Sequence, residues 1–151
     1  ADYLHEAVLA PLAMTSTTLT GSPGAGASSS VADLTRFAAE LQRPTLIDAS
    51  TLTAATTVVF PGLDGVLPGF GRQRPNDWGL GLELRNGKDP HWTGASSSPE
   101  TFGHFGQSGT FLWVDPRAGA ACVVLADRAF GEWAAEVWPK LTDAVLAELR
   151  G

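Results

Sequence analysis

The spacing of hydrophobic residues changes along the chain from a helical pattern to a strand pattern. Within residues 31–42, apolar side chains recur every three or four positions, at Val31, Leu34, Ala38 and Leu41. This spacing predicts an amphipathic helix, with Ser30 as its N-cap and Pro44 beyond its end. Two further helices are expected at residues 2–12 and 48–57.

The last helix is predicted from an apolar stripe formed by Trp138, Leu141, Val145 and Leu149. Pro139 fits best at the first helical position, because its missing N–H is not needed there. We therefore expect the helix to begin next to Pro139, and residues 132–137 to form a separate turn.

Strand patterns dominate the chain from Trp78 onward. Large residues alternate with small or polar ones over residues 78–84, Asn86-Gly87 is a hairpin turn signal, and residues 91–92 fit a short return strand. Three more strands are predicted at residues 102–106, 110–115 and 120–127. The segments between these elements are rich in Gly, Pro, Ser or Thr and are predicted as loops, at residues 15–30, 60–77 and 93–100.

Two of these strands are apolar without interruption, at residues 111–114 and 122–125, so both faces of their sheet must be covered. The last helix supplies one of the covers. The predicted fold class is α+β, an antiparallel sheet with flanking helices and a C-terminal helix packed on the sheet. A length of 151 residues corresponds to a single domain over residues 1–151, and no repeat or internal boundary is visible.

Composition argues against several classes of function. The chain has only ten Lys and Arg residues, which are scattered, and a formal net charge of −6, so we expect no nucleic-acid partner. No apolar run approaches the roughly 18 residues of a membrane span, and residues 1–6 do not resemble a signal peptide. The compartment stays open. The single cysteine, Cys122, excludes an internal disulfide and is interpreted as an inert core residue.

The histidines and tryptophans are candidate functional residues. The three histidines are far apart and lack Cys or carboxylate partners at ligand spacing, so no metal or other cofactor is predicted. His5 and His91 have no neighbour that indicates a function. Trp113 is predicted in the core. Trp78 and Trp92 fit packing at the sheet edge, which we prefer, or the lining of a substrate groove.

Several motifs, in the same order, resemble the class C β-lactamase-like serine hydrolases, a group that includes β-lactamases, DD-peptidases and esterases. They are Pro-Leu-Ala-Met at residues 11–14, Ser-Ser-Val-Ala-Asp-Leu at 29–34, Trp-Gly-Leu-Gly at 78–81, Gly-His-Phe-Gly-Gln-Ser-Gly at 103–109, Val-Asp-Pro at 114–116 and Leu-Ala-Asp-Arg at 125–128. Ala13 and Asp127 stand where that group has Gly and Asn. The resemblance covers nearly the whole chain and implies the C-terminal half of that fold.

The resemblance implies three catalytic motifs, of which this chain carries one. The first is Ser-x-x-Lys, in which the base lies one helical turn from the nucleophile. No serine of this chain is followed three residues later by lysine. The second, Tyr-x-Asn, is absent because the only tyrosine is Tyr3. The third is a His-x-Gly variant of Lys-Thr-Gly, present as His104-Phe105-Gly106.

The resemblance also implies site roles for His104, Gly106 and Gln107. A neutral histidine can donate or accept a proton, unlike the lysine that usually holds a substrate carboxylate, so His104 favours esters or amides without that carboxylate. Gly106 would let a substrate backbone pair with the strand, and the Gln107 N–H would form half of an oxyanion hole. From spacing alone, the preferred interpretation of His104 is an ordinary sheet residue, and the resemblance shifts the preference to a site role.

Two hypotheses about function follow. In the first, the chain is the C-terminal segment of a serine hydrolase that acts through an acyl-enzyme on a small ester, amide or β-lactam-like substrate. It would be inactive alone, and its start at a helix without Met fits such a segment. In the second, the chain is a non-catalytic binding or self-assembling module with the same half-fold. An apolar face left open by the missing half would then drive self-association or pairing with that half.

Overall fold

The computed structural model describes residues 2–151, and within them helices precede and follow a group of antiparallel strands. In chain order the elements are α1 (Asp2–Leu4), which continues as a π-helical turn (His5–Leu9), β1 (Thr18–Leu19), β2 (Ala27–Ser28), α2 (Val31–Gln42), α3 (Ala49–Ala55), β3 (Gly65–Leu67), β4 (Gly71–Gln73), β5 (Glu83–Leu84), β6 (Phe102–Gly106), β7 (Thr110–Asp115), β8 (Ala120–Val124) and α4 (Glu132–Arg150).

The main sheet has four antiparallel strands in the order β5-β6-β7-β8, so each strand pairs with the next one along the chain. The register places Gly103 opposite Trp113, and Trp113 opposite Cys122. β5 is short and adds Glu83 opposite Gly103. This arrangement confirms the predicted α+β class with its antiparallel sheet.

Helices cover both faces of the sheet, as its uninterrupted apolar strands require. On one face, Trp138 of α4 is buried with Phe111 and Trp113. On the other face, Leu41 of α2 packs against Phe102. The two sides of β7 therefore belong to two different hydrophobic clusters, and burial of this apolar area is the main stabilising contribution.

The prediction for the start of α4 was wrong. The helix begins at Glu132, so residues 132–137 belong to the helix and do not form a separate turn before it. It contains Pro139 in its interior. Proline removes one helical hydrogen bond there. The helix nevertheless continues, because Ala134, Trp138, Thr142 and Leu146 all lie buried at four-residue spacing.

The predicted strand over residues 78–84 is mostly a turn. Only Glu83–Leu84 forms β5, and Trp78 makes a single antiparallel bridge to Glu83. Between them Gly81 has a positive φ of 78°, and the Gly79 N–H bonds to the Leu82 carbonyl at 2.9 Å. A Cβ built on Gly79 would overlap the carbonyl oxygen of Ala55, so close contact with α3 bends the chain here.

The predicted loops contain two small two-stranded ribbons. β1 pairs with β2 inside residues 15–30, and β3 pairs with β4 inside residues 60–77. Residues 91–92 form no strand, and the last predicted strand stops at Val124. The predicted cap of α2 is confirmed, since the Ser30 side chain accepts a hydrogen bond from the Asp33 N–H at 3.2 Å. Across residues 2–151, each helix is too short or too polar to cross a bilayer.

Candidate active site

His104 is the middle residue of β6 and is exposed to solvent. Side chains alternate along a strand, so His104 is on the same face as Phe102 and on the opposite face from Phe105. Its Nδ1 lies 2.6 Å from the Phe105 carbonyl oxygen. A carbonyl oxygen only accepts, so Nδ1 carries the proton of the neutral ring. Nε2 of the neutral ring is therefore an acceptor, and no hydrogen bond to it is found within residues 2–151.

Gln107 begins the turn that joins β6 to β7. Within residues 2–151 its backbone N–H has no hydrogen-bond partner, and the residue is exposed. Its carbonyl, by contrast, accepts a hydrogen bond of 2.9 Å from the Phe130 N–H. On the other side of the turn, a Cβ on Gly109 would overlap the Arg128 carbonyl oxygen. The segment before α4 thus holds the turn in place while the Gln107 N–H stays available.

The two glycines of β6 have different surroundings. A Cβ on Gly103 would overlap the backbone of β7, at the Leu112 carbonyl oxygen, and would lie 2.8 Å from the Trp113 Cα. A Cβ on Gly106 would meet only the hydroxyls of Ser108 and Thr110, both at 3.3 Å. Gly103 is therefore needed for strand packing, whereas Gly106 leaves the strand surface open beside His104.

Trp78 borders His104 on the β5 side. Their ring centroids are 5.5 Å apart with an interplanar angle of 64°, an edge-to-face arrangement. Trp78 is half-buried, whereas Trp92 is 1% exposed and belongs to the main core. The packing interpretation is confirmed for Trp92. Trp113, predicted in the core, is fully buried.

A buried polar cluster behind β6 was missed by sequence reasoning. Glu83 receives hydrogen bonds at Oε1 from Lys88 Nζ at 2.8 Å and from His91 Nε2 at 3.0 Å. Its Oε2 accepts from Trp92 Nε1 at 2.7 Å. His91 Nδ1 faces the Thr93 N–H at 3.2 Å, so Nδ1 accepts and Nε2 carries the proton. His91 is therefore a neutral ring fixed in one tautomer.

Burial and hydrogen bonding set the ionisation of this cluster. Burial raises the pKa of Glu83, but hydrogen bonds from His91 and Lys88 and the charge of Lys88 outweigh it and hold this pKa below its ordinary value. Burial lowers the pKa of His91 despite the opposing effect of Glu83. Burial likewise lowers the pKa of Lys88, again against Glu83. The cluster thus combines a carboxylate and an ammonium with an uncharged imidazole.

Three potential nucleophiles have structural surroundings, namely two serines that precede β6 and the single cysteine. Ser98 donates its hydroxyl to Asp115 at 2.7 Å, and Ser97 donates its hydroxyl to the Thr93 carbonyl. Cys122 is half-buried, and burial raises the pKa of its thiol, which disfavours the reactive thiolate. Among residues 2–151, no group of three or more His, Cys, Asp or Glu side chains could hold a metal ion.

Comparison with known families and structures bears on this arrangement. Residues 1–147 match a family model described as Beta-lactamase. The structure is similar to that of a β-lactamase from Mycobacterium bovis, with 61% sequence identity and a TM-score of 0.94 over 98% of this chain and 56% of that one. The search of curated proteins gave no match.

A more distant similarity is limited to the fold. Simvastatin synthase from Aspergillus terreus is 15% identical, with a TM-score of 0.73 over 99% of this chain and 49% of that one. At this identity the likeness concerns the fold alone. The present chain therefore spans about half the length of the solved structures that it matches.

Proposed function

This chain belongs to the β-lactamase family, and from that premise we propose that it supplies one wall of the active site of a serine hydrolase acting through an acyl-enzyme. One observation carries the proposal. From the middle of β6 to the start of the turn that follows it, three groups follow one another along the chain, at His104, Gly106 and Gln107: an exposed imidazole whose Nε2 can accept, a bare glycine, and a backbone N–H that has no partner among residues 2–151.

The Gln107 N–H is proposed as one donor of the oxyanion hole. It is exposed and unbonded, and the turn around it is held by Arg128 and Phe130. A fixed donor of this kind stabilises the negative oxygen of a tetrahedral intermediate without having to reorganise. Removing one such donor typically costs about 10²–10³ in kcat.

His104 is proposed as the group that faces the substrate or leaving group. Because Nδ1 donates to the Phe105 carbonyl, Nε2 is an acceptor when the ring is neutral. An acceptor does not bind a carboxylate, whereas it can take a proton from a hydroxyl or amine. We therefore favour small esters or amides over substrates that need a cation for an acidic group.

The nucleophile and its base would come from sequence beyond these 151 residues. The chain has no Ser-x-x-Lys and no Tyr-x-Asn, and it covers 56% of the M. bovis β-lactamase. We propose that it pairs with the remaining part of such a domain and is inactive alone. Rapid hydrolysis of nitrocefin or p-nitrophenyl acetate by the chain alone, with covalent labelling by a serine-directed phosphonate, would contradict this.

The positive test is a chimaera in which the part of the M. bovis β-lactamase that this chain does not match precedes it. We expect hydrolysis of p-nitrophenyl esters. Gln107→Pro removes the N–H and should lower kcat by about 10²–10³, while Gln107→Ala keeps the N–H and serves as the matched control. An active chimaera in which both variants behave alike would refute the role of Gln107, and a folded chimaera without hydrolysis would refute the proposed activity.

A second inference is that the chain alone self-associates. Large apolar side chains are exposed over several segments, including Tyr3 at 83%, Phe60 at 70% and Val66 at 71%. A contiguous exposed apolar area drives association, and we infer that these side chains contribute to one. Sedimentation velocity over a range of concentrations should show a concentration-dependent increase in mass, and a single monomer at the highest concentration would contradict the inference.

A further inference from the structure

A buried charge pair lies behind the proposed site and has no part in the proposed chemistry. The side chains of Lys88 and Glu83 are 1% and 2% exposed, and their Nζ and Oε1 atoms are 2.8 Å apart. Replacing a buried ion pair with apolar residues of the same size is often neutral or stabilising. The stability of the fold therefore does not by itself explain why a charged pair is buried here. The other contacts of the two side chains indicate what the pair does.

Lys88 contacts the residue that borders His104. Its Nζ donates to the Asp77 carbonyl at 2.8 Å, which fixes the backbone immediately before Trp78. The same Nζ lies 5.8 Å from the centroid of the Trp78 ring, within the range of a cation–π interaction. One ammonium group therefore holds both the backbone next to Trp78 and the indole itself.

Trp78 transmits this contact to His104 by two routes. Through its side chain, the indole meets the imidazole edge to face at 5.5 Å. Through the backbone, Trp78 bridges to Glu83, and Glu83 pairs with Gly103, the residue before His104. The first route ends at the imidazole itself, and the second ends at the backbone of the residue immediately before His104.

We propose that Lys88 is a positioning residue, which holds Trp78 against the His104 ring and so fixes the direction in which Nε2 points. This inference rests on the proposed function, because it concerns the orientation of His104, which that proposal assigns to the active site. The geometry that it asserts is independent of any turnover.

His91 provides a matched control inside the same cluster. It bonds to the same Glu83 Oε1, at 3.0 Å, and its side chain is 2% exposed. Its remaining contacts run to Thr93 and to the Trp92 ring rather than to Trp78. A variant of His91 therefore disturbs the buried cluster without removing the ammonium that faces Trp78.

The test is nuclear magnetic resonance of the full chain, with the ring protons of His104 as the probe. Trp78→Leu identifies the ring-current shift and the nuclear Overhauser contacts that the indole contributes. Lys88→Met should lose those indole–imidazole contacts and move the His104 ring-proton shifts towards the values in Trp78→Leu. His91→Gln should keep both at their wild-type values.

Lys88→Met leaves the Glu83 carboxylate without its cation, so Glu83→Gln/Lys88→Met provides a second variant in which no net charge is buried. If Lys88→Met and this double variant both keep the wild-type contacts and shifts of His104, the positioning role is overturned. The same holds if His91→Gln changes them as much as Lys88→Met does. Neither result would affect the comparison of Gln107→Pro with Gln107→Ala, so this inference and the proposed function fail separately.

Discussion

The Oε2 atom of Glu83 accepts a hydrogen bond of 2.7 Å from the indole Nε1 of Trp92, and both side chains are almost wholly shielded from solvent. Together with the two donors at Oε1, this bond gives the carboxylate three protein donors. The loop that carries Lys88 and His91 is tied to β5 by these bonds. Several measurable consequences follow from this cluster and from the packing around it.

Glu83→Ala should lower the free energy of unfolding by about 3–5 kcal/mol, because it leaves the Lys88 ammonium buried without its carboxylate. The matched control is Glu136→Ala. Glu136 pairs with Lys140 at 3.0 Å on the surface of α4, where both side chains are 73% exposed. That loss should be at most about 0.5 kcal/mol. Urea denaturation measures both, and similar losses would show that the buried pair has no special role in stability.

Stability should fall as the pH falls below about 6.5, and His91 should account for the first part of the loss. Burial lowers the pKa of His91, so below its ordinary value of 6.5 the unfolded chain binds a proton that the folded chain does not. The contribution of His91 is thus present above that pH and is lost as the pH falls towards its folded pKa, by up to about 1.4 kcal/mol per pH unit.

Denaturation of His91→Gln across the same pH range tests this attribution, because glutamine keeps a donor towards Glu83 and does not titrate. The slope just below pH 6.5, the ordinary pKa of histidine, should become flatter in this variant. The lowered pKa of Glu83 adds a further loss at more acidic pH, below its ordinary value of 4.5, and this second loss should remain. An unchanged slope near pH 6 would mean that His91 is not the titrating group.

Gly103→Ala should destabilise the chain by about 3 kcal/mol, since its methyl group would overlap the backbone of β7. Gly106→Ala should cost less than about 1 kcal/mol, because it meets only two hydroxyls that can rotate. In the active chimaera, Gly106→Ala should nevertheless reduce ester hydrolysis. Thermal or urea denaturation separates the two effects, and equal destabilisation would contradict the different roles of these glycines.

Thr142→Val should cost about 1–3 kcal/mol, because Trp113 would lose the acceptor of its buried indole N–H. Trp113 Nε1 donates to Thr142 Oγ1 at 3.1 Å, and neither residue is exposed to solvent. Thr142→Ser keeps the hydroxyl and should recover most of the loss. Denaturation of the two variants isolates the hydrogen bond, and a Val variant as stable as the Ser variant would show that it contributes little.

The sequence patterns correctly predicted the elements that depend only on residues close together in the chain. The period of α2 and its Ser30 cap are contained within a few residues, and the bounds of β6 and β7 follow from short apolar runs between glycines and turns. The bend at residues 79–82 was not predictable in this way. It arises because Gly79 packs against the Ala55 carbonyl, a contact between residues far apart in sequence.

The same distinction applies to the candidate site. His104, Gly106 and Gln107 are consecutive or nearly so, and a resemblance could therefore point to them. His91 gave no signal, because its meaning depends on burial against Glu83 and on the Thr93 amide. The nearest clue was a Glu, a Lys and a His within nine positions, at Glu83, Lys88 and His91, a spacing that is also common in exposed loops.

The turn after β6 is fixed from outside, by a bond from Phe130 to the Gln107 carbonyl and by the Arg128 backbone beneath Gly109. The position of the Gln107 N–H relative to the sheet is therefore determined by the segment that contains Arg128 and Phe130, which lies just before α4. If the proposed site is correct, engineering of its specificity should vary residues 126–131 as well as His104, Gly106 and Gln107. Small backbone shifts in residues 126–131 would change the direction of the Gln107 N–H without changing any of these three residues.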